Sequence, residues 1–323
     1  MHRFYSSAYQ SGERRTVIAL HCSGGSPKQW QILTEALTDR YRVHTPRYLP
    51  ADACNQSLHH SRFSLDDEAR LVLPLLLADD KPVHMVGHSY GGALALYLAC
   101  CHPERVASLS LFEPCAFHIL SQLGAIATKE QEDLRDLATS IVSLIDCDRS
   151  VDAMRTFVDF WGGSGAWHKL KASDQAQLVS WAPKALHEFD ALFNDSTPLQ
   201  SYRRLNVPVL LLHGEDSPRA VKTVANALWG LLPAATSIRL SRVGHMGPVT
   251  HRDAVARLIT SHINQIDGLS YREMLADSDS VSSAAPGETI ETKYRFRRHQ
   301  RETVDTHTVH RGQAQALIET VSN

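Results

Sequence analysis

The segment Gly87-His88-Ser89-Tyr90-Gly91-Gly92 constrains the fold more than any other part of this 323-residue chain. A short apolar stretch, Pro82–Val86, runs into it, and a second, Ala93–Cys101, runs out of it. The first has the length of a strand; the second is apolar nearly all round, as a helix packed on a sheet must be. A strand that turns sharply into a helix presses backbone against backbone at the corner. The residues two before and two after the corner must then be very small, and Gly87 and Gly91 meet that need. The pattern predicts a strand, a sharp turn with Ser89 at its apex, and a helix whose first amides point back at the serine.

The flanking sequence repeats that alternation. Apolar runs at Thr16–His21, Tyr41–His44, Val106–Phe112, Val207–His213 and Thr236–Leu240 read as strands. Helical patterns cover Lys28–Thr38, Leu65–Ala78, Ala220–Leu231 and Arg252–Ile266, the second opened by Ser64 with Asp67 three residues on. Strands alternating with helices indicate an α/β fold with a mostly parallel sheet covered on both faces. Two stretches break the rhythm. Residues 115–203 contain no strand pattern and read as helices, including the aromatic run Phe157, Phe160, Trp161 and Trp167; they are expected to form a helical cap inserted into a core of residues 1–114 and 204–267. Residues 268–323 are polar and read as a disordered tail, with Ala314–Val321 able to form a short helix.

Composition narrows the function classes. A formal net charge of -2 supplies no global field to draw the chain to nucleic acid or an anionic membrane. The N-terminal ten residues lack the apolar core of a secretory signal, and no stretch has the length of a membrane span, so a cytoplasmic protein is expected. The six cysteines show no C-x-x-C pair and no zinc-like spacing, which fits reduced thiols; Cys100 and Cys101, in an apolar helix, read as small buried side chains. No metal and no organic cofactor is expected. Oligomeric state is not readable.

A serine hydroxyl becomes a useful nucleophile only when a base removes its proton and the backbone presents it to substrate. Ser89 is therefore the candidate nucleophile. Together with His21-Cys22-Ser23-Gly24-Gly25 upstream and Gly244-His245 downstream, in that order, its segment resembles the α/β-hydrolase family over about residues 14–266. The resemblance implies that His245, after the last core strand, is the base, and that His88, His213 and His251 have other roles. It implies an oxyanion hole made by the amides of Tyr90 and Ser23, with Cys22 standing where the family usually has glycine. It leaves two acids open. Asp216 follows the strand where the family most often carries its acid, but the usual register falls on Ser217. Glu113 closes the strand after the nucleophile's helix, where some branches place theirs, and is the favoured member. The implied chemistry is acyl transfer on a small-molecule ester or related acyl compound, through an acyl-enzyme. The same residues also serve cofactor-free lyases and perhydrolases, and the scaffold also serves non-catalytic ligand receptors.

Overall fold

A computed structural model describes residues 14–56, 62–268, 289–298 and 301–310. The described residues form eight strands: β1 (Thr16–Leu20), β2 (Arg42–His44), β3 (Val83–His88), β4 (Val106–Phe112), β5 (Val209–Gly214), β6 (Ala235–Leu240), β7 (Thr289–Arg298) and β8 (Arg301–His310). They form one sheet in the order β2-β1-β3-β4-β5-β6-β7-β8. The first six are parallel, as the alternating pattern predicts. Between β1 and β4 lie α1 (Gln31–Leu37), α2 (Ala51–Gln56), α3 (Leu65–Leu77) and α4 (Tyr90–Cys101). The segment between β4 and β5 holds α5 (His118–Gln122), α6 (Thr128–Asp146), α7 (Ser150–Gly162), α8 (Ala166–Lys169), α9 (Ala172–Asn194) and α10 (Leu199–Arg204). After β5 come α11 (Arg219–Leu231), then, beyond β6, α12 (Gly247–Thr250) and α13 (Arg252–Ile266).

Alternate strand residues serve two separate cores. Ile18, Leu20, Met85, Leu109 and Leu111 face a core completed by Val72, Leu94, Leu98 and Val224 from α3, α4 and α11. Val17, Ala19, Val86, Leu210 and Leu212 face the other, closed by Leu33 and Leu37 of α1 and Ile259 and Ile263 of α13. Burial on both faces is why these strands read as near-continuous apolar runs. α3 starts as its sequence predicts: the Asp67 carboxylate accepts the Ser64 amide at 3.0 Å and its hydroxyl at 2.7 Å.

Parallel pairing puts all six strand C-termini at one edge of the sheet. The register pairs Leu20 with Gly87, Gly87 with Leu111, and Phe112 with Leu212. The loops holding Ser23, Ser89, Glu113, Gly214 and His245 therefore leave the sheet side by side, the usual place for a site in an open parallel sheet.

Two expectations change. Within the stretch read as a disordered tail, the structure has β7 paired antiparallel to β6, and β8 paired antiparallel to β7. The signal was there: Ile290, Thr292, Tyr294 and Phe296 alternate with Glu291, Lys293, Arg295 and Arg297, the period of a strand, but high charge masked it. The suggested helix at 314–321 lies outside the described residues. Cys100 is only half-buried and Cys101 is exposed, because they lie on the last turn of α4 where the helix leaves the core. All six cysteines are free thiols. Among the described residues no helix is long and apolar enough to cross a membrane.

Candidate active site

Ser89 occupies the corner between β3 and α4 with φ 56° and ψ -118°. A non-glycine residue is rarely found there, and the conformation persists only because its surroundings fix it. The Ser89 amide donates to Phe112 O at 3.1 Å, while its carbonyl accepts the amides of Ala93 and Cys115 at 3.0 Å each. The glycines fit as the motif requires. A Cβ on Gly87 would lie 2.5 Å from Gly91 O, and one on Gly91 would lie 2.5 Å from the carbonyl oxygens of Leu20 and His21.

The structure brings Ser89, His245 and Glu113 into one hydrogen-bonded chain. His245 Nε2 lies 3.0 Å from Ser89 Oγ, and His245 Nδ1 lies 2.6 Å from Glu113 Oε2. All three side chains are buried. The other Glu113 oxygen accepts the Gly214 amide at 2.7 Å, so both carboxylate oxygens are engaged. Glu113 itself has φ 43°: β4 ends at Phe112 and the chain turns into the left-handed region to aim the carboxylate across the site. With Nδ1–H held by Glu113, Nε2 is left as the acceptor for the serine proton. His88, beneath this chain, donates from Nε2 to His245 O at 2.8 Å and so anchors the histidine's loop.

Asp216 lies outside the chain. It is exposed, and its backbone amide donates to Val243 O at 2.9 Å. Ser217 is buried beside Gly214. His251 is half-buried at the start of α13 and bonds to Thr250 Oγ1 at 2.8 Å.

In the loop after β1, the Cys22 amide donates to Gln29 Oε1 at 3.1 Å and the Gly25 amide to Cys22 O at 3.0 Å. Cys22 does not have a positive φ, so the loop accepts it without left-handed strain. Burial pushes its thiol up to about 12, which keeps it neutral. The Tyr90 amide belongs to the first turn of α4, whose amides lack intrahelical acceptors. Ser23 and Ser89 line the same cavity, of about 280 Å3 of empty space including its opening to solvent.

The far wall comes from the helical insertion: Phe157 and Trp161 of α7, and Trp181, Ala185, Glu188 and Phe189 of α9. Trp161 lies over the base, its ring centroid 4.5 Å from that of His245. Phe160 packs against Trp161 behind the wall, and Trp167 is buried in the core, so only half of the aromatic run reaches the cavity. Two wall residues escaped the sequence reading. Cys115 Sγ lies 3.2 Å from Ser89 Oγ, and Glu188 contributes a buried carboxyl. A lone cysteine after Glu113-Pro114 and one acid in a 23-residue helix carry no sequence signal of their own.

A buried polar network ties the insertion to this edge of the core. Lys184 of α9 donates to Leu49 O at 2.6 Å and to Glu68 Oε2 at 2.8 Å. Tyr90 OH also donates to Glu68, at 3.2 Å, and Tyr48 OH donates to His21 O at 2.7 Å. Among the described residues, no group of three or more His, Cys, Asp or Glu side chains is arranged to hold a metal ion.

The model of the alpha/beta hydrolase family matches residues 17–258. The chain belongs to that family. It is a hydrolase by class. It is 26% identical over 300 residues to the biotin biosynthesis bifunctional protein BioHC of Teredinibacter turnerae, a match covering 84% of this chain and 48% of that protein. This chain thus spans about half the length of that relative. It is 23% identical over 258 residues to the pimeloyl-(acyl-carrier protein) methyl ester esterase of Aliivibrio fischeri, covering 79% of this chain and 95% of the other. The fold resembles that of the carboxylesterase CesB (YbfK) from Bacillus subtilis, with TM-score 0.58, 17% identity, and coverage of 78% of this chain and 84% of that one.

Proposed function

We propose that this hydrolase cleaves a carboxylic ester or related acyl compound through an acyl-enzyme on Ser89. The observation that carries the proposal is the continuous chain from Glu113 through His245 to Ser89 Oγ, with both links at hydrogen-bond distance. Ser89 Oγ attacks the substrate carbonyl carbon as its proton passes to His245 Nε2. Glu113 holds the Nδ1 proton and stabilises the imidazolium that forms. The tetrahedral oxyanion is held by the Tyr90 and Ser23 amides, each such donor typically supplying about 3 kcal/mol. His245 then protonates the departing alkoxide, and a water molecule deprotonated by His245 attacks the acyl carbonyl to release the acid and restore Ser89. In this reading residues 115–203 are a cap over the site and Asp216 takes no part. The esterase named among the relatives supports the ester class.

The test is labelling with a fluorophosphonate probe. The intact protein should be modified at Ser89 and the Ser89→Ala variant should not be. A folded protein that resists the probe would sink the acyl-enzyme reading and favour a ligand receptor on the same scaffold. A panel of p-nitrophenyl esters of graded chain length would then define the acyl group.

A further inference from the structure

Among the described residues Glu188 is the one carboxyl in the cavity wall, and nothing in the Ser89–His245–Glu113 chain uses it. Its side chain is almost fully buried. Oε1 accepts the Trp181 indole N–H at 3.3 Å and the Ser23 side chain also reaches the carboxyl, but the buried Oε2 is left without a well-formed hydrogen bond. A buried carboxylate oxygen left unpaired is costly, and such an orphan in a cavity wall marks a place where a ligand group completes the bonding.

The charges nearby point to the sign of that group. Lys184 Nζ stands 3.8 Å from Glu188 Oε1, but it is committed to Glu68 at 2.8 Å and to Leu49 O at 2.6 Å. Lys184 and Glu68 therefore neutralise one another, and an ionised Glu188 adds an uncompensated negative charge. Glu68 adds a like charge that opposes its ionisation, and Cys22, Cys54, Cys115, Tyr48 and Tyr90, which feel the Glu188 charge, are neutral thiols and phenols whose ionisation is suppressed chiefly by burial. Burial pushes the Glu188 carboxyl up to about 7, against the pull of Lys184. Only a proton or a cation supplied from the cavity balances it. Five aromatic side chains, Phe117, Phe157, Trp161, Trp181 and Phe189, share that cavity. A carboxylate among aromatic rings is the environment that ammonium groups favour, through ion pairing and cation–π attraction.

We infer that Glu188 is a specificity-determining residue that receives a positively charged ammonium group of the substrate. The inference rests on the cavity's being the substrate site of the proposed hydrolase. It deepens that reading by naming a substrate class: esters carrying a cationic nitrogen.

The experiment compares acetylcholine with its uncharged isostere 3,3-dimethylbutyl acetate, in the full-length protein and in Glu188→Gln, at pH 6 and pH 8. The ratio of kcat/KM for the charged over the uncharged ester cancels the pH dependence of His245. In the wild-type protein that ratio should rise about tenfold from pH 6 to pH 8, as Glu188 ionises. In Glu188→Gln it should be flat with pH and about tenfold below the wild-type value at pH 8; Glu188→Met serves if the amide variant folds poorly. Equal ratios in both proteins at both pH values would overturn the inference. A second arm does not depend on turnover: choline and 3,3-dimethylbutan-1-ol are titrated into Ser89→Ala and Ser89→Ala/Glu188→Gln, followed by calorimetry. Choline binding that weakens with loss of Glu188 supports the inference even if fluorophosphonate labelling fails. Choline binding no tighter than the alcohol refutes it even if labelling succeeds.

Discussion

Glu113 is held at φ 43°, a conformation that costs a non-glycine residue of order 1 kcal/mol or more, and the neighbouring structure sustains it. The return is a carboxylate with one oxygen 2.6 Å from His245 Nδ1 and the other fixed by the Gly214 amide. Replacing it by glutamine keeps the shape but offers His245 an amide that cannot stabilise an imidazolium. Glu113→Gln should lower kcat for ester hydrolysis by roughly a thousandfold or more, with KM changed little. Asp216→Asn, at an exposed position outside the chain, should change kcat less than twofold. Steady-state kinetics on one p-nitrophenyl ester decides both. Comparable losses in the two variants would remove Glu113 from its proposed role.

At the scale of elements, the two dependencies are the corner between β3 and α4 and the attachment of α9. A Cβ on Gly91 would collide with two backbone carbonyls of β1 and the loop after it, neither of which can yield cheaply. Gly91→Ala should therefore destabilise by several kcal/mol or prevent folding, which urea unfolding would measure. α9 is attached by a buried charge. Lys184 and Glu68 are 3% and 0% exposed, so losing Lys184 strands Glu68 in a medium of low polarity, whereas losing Glu68 leaves Lys184 with Glu188 at 3.8 Å. Lys184→Met should cost about 3–5 kcal/mol and Glu68→Gln less. The double variant should cost clearly less than the sum of the two, because it removes both members of the pair together. Additive losses would show that the two groups act independently.

For the whole molecule, burial of titratable groups sets the pH range of stability. Burial lowers His21 to about 4, against an ordinary 6.5, and holds the fully buried His88 well below its usual range. Each must take up a proton when the chain unfolds in mild acid, so the stability present above pH 6.5 is lost as pH falls toward 4. For His21 alone that amounts to about 3 kcal/mol at most. Glu188 has the opposite sign. Its raised pKa means that the native state holds a proton the unfolded chain releases, so its contribution is full below about pH 4.5 and fades as pH rises through 7. Urea unfolding from pH 4.5 to 8 should fall away on the acid side of pH 6.5. In Glu188→Gln the decline between pH 5 and 7.5 that this residue causes should disappear. In Glu188→Gln, where that offset is gone, a stability unchanged between pH 6.5 and 4.5 would contradict the histidine assignment.

The sequence alone carried the mostly parallel α/β sheet and named Ser89 and His245 as candidates for one site. Each rests on local pattern: apolar runs of strand length, glycines at fixed offsets, and a histidine in the loop after β6. It favoured Glu113 over Asp216 without separating them sharply, because both follow apolar strands and both fit the order of the motif. Strand order and register bring Glu113, and not Asp216, to His245. β4 lies directly between β3 and β5, so its end faces the Ser89 corner, while the chain after β5 carries Asp216 out to solvent. Glu188 was likewise invisible, since nothing near it in sequence says which face of an insertion helix turns toward the sheet. Only the packing of α9 over the strand ends brings it into the cavity that Ser89 lines, because a cavity wall is a property of contacts between elements distant in the chain.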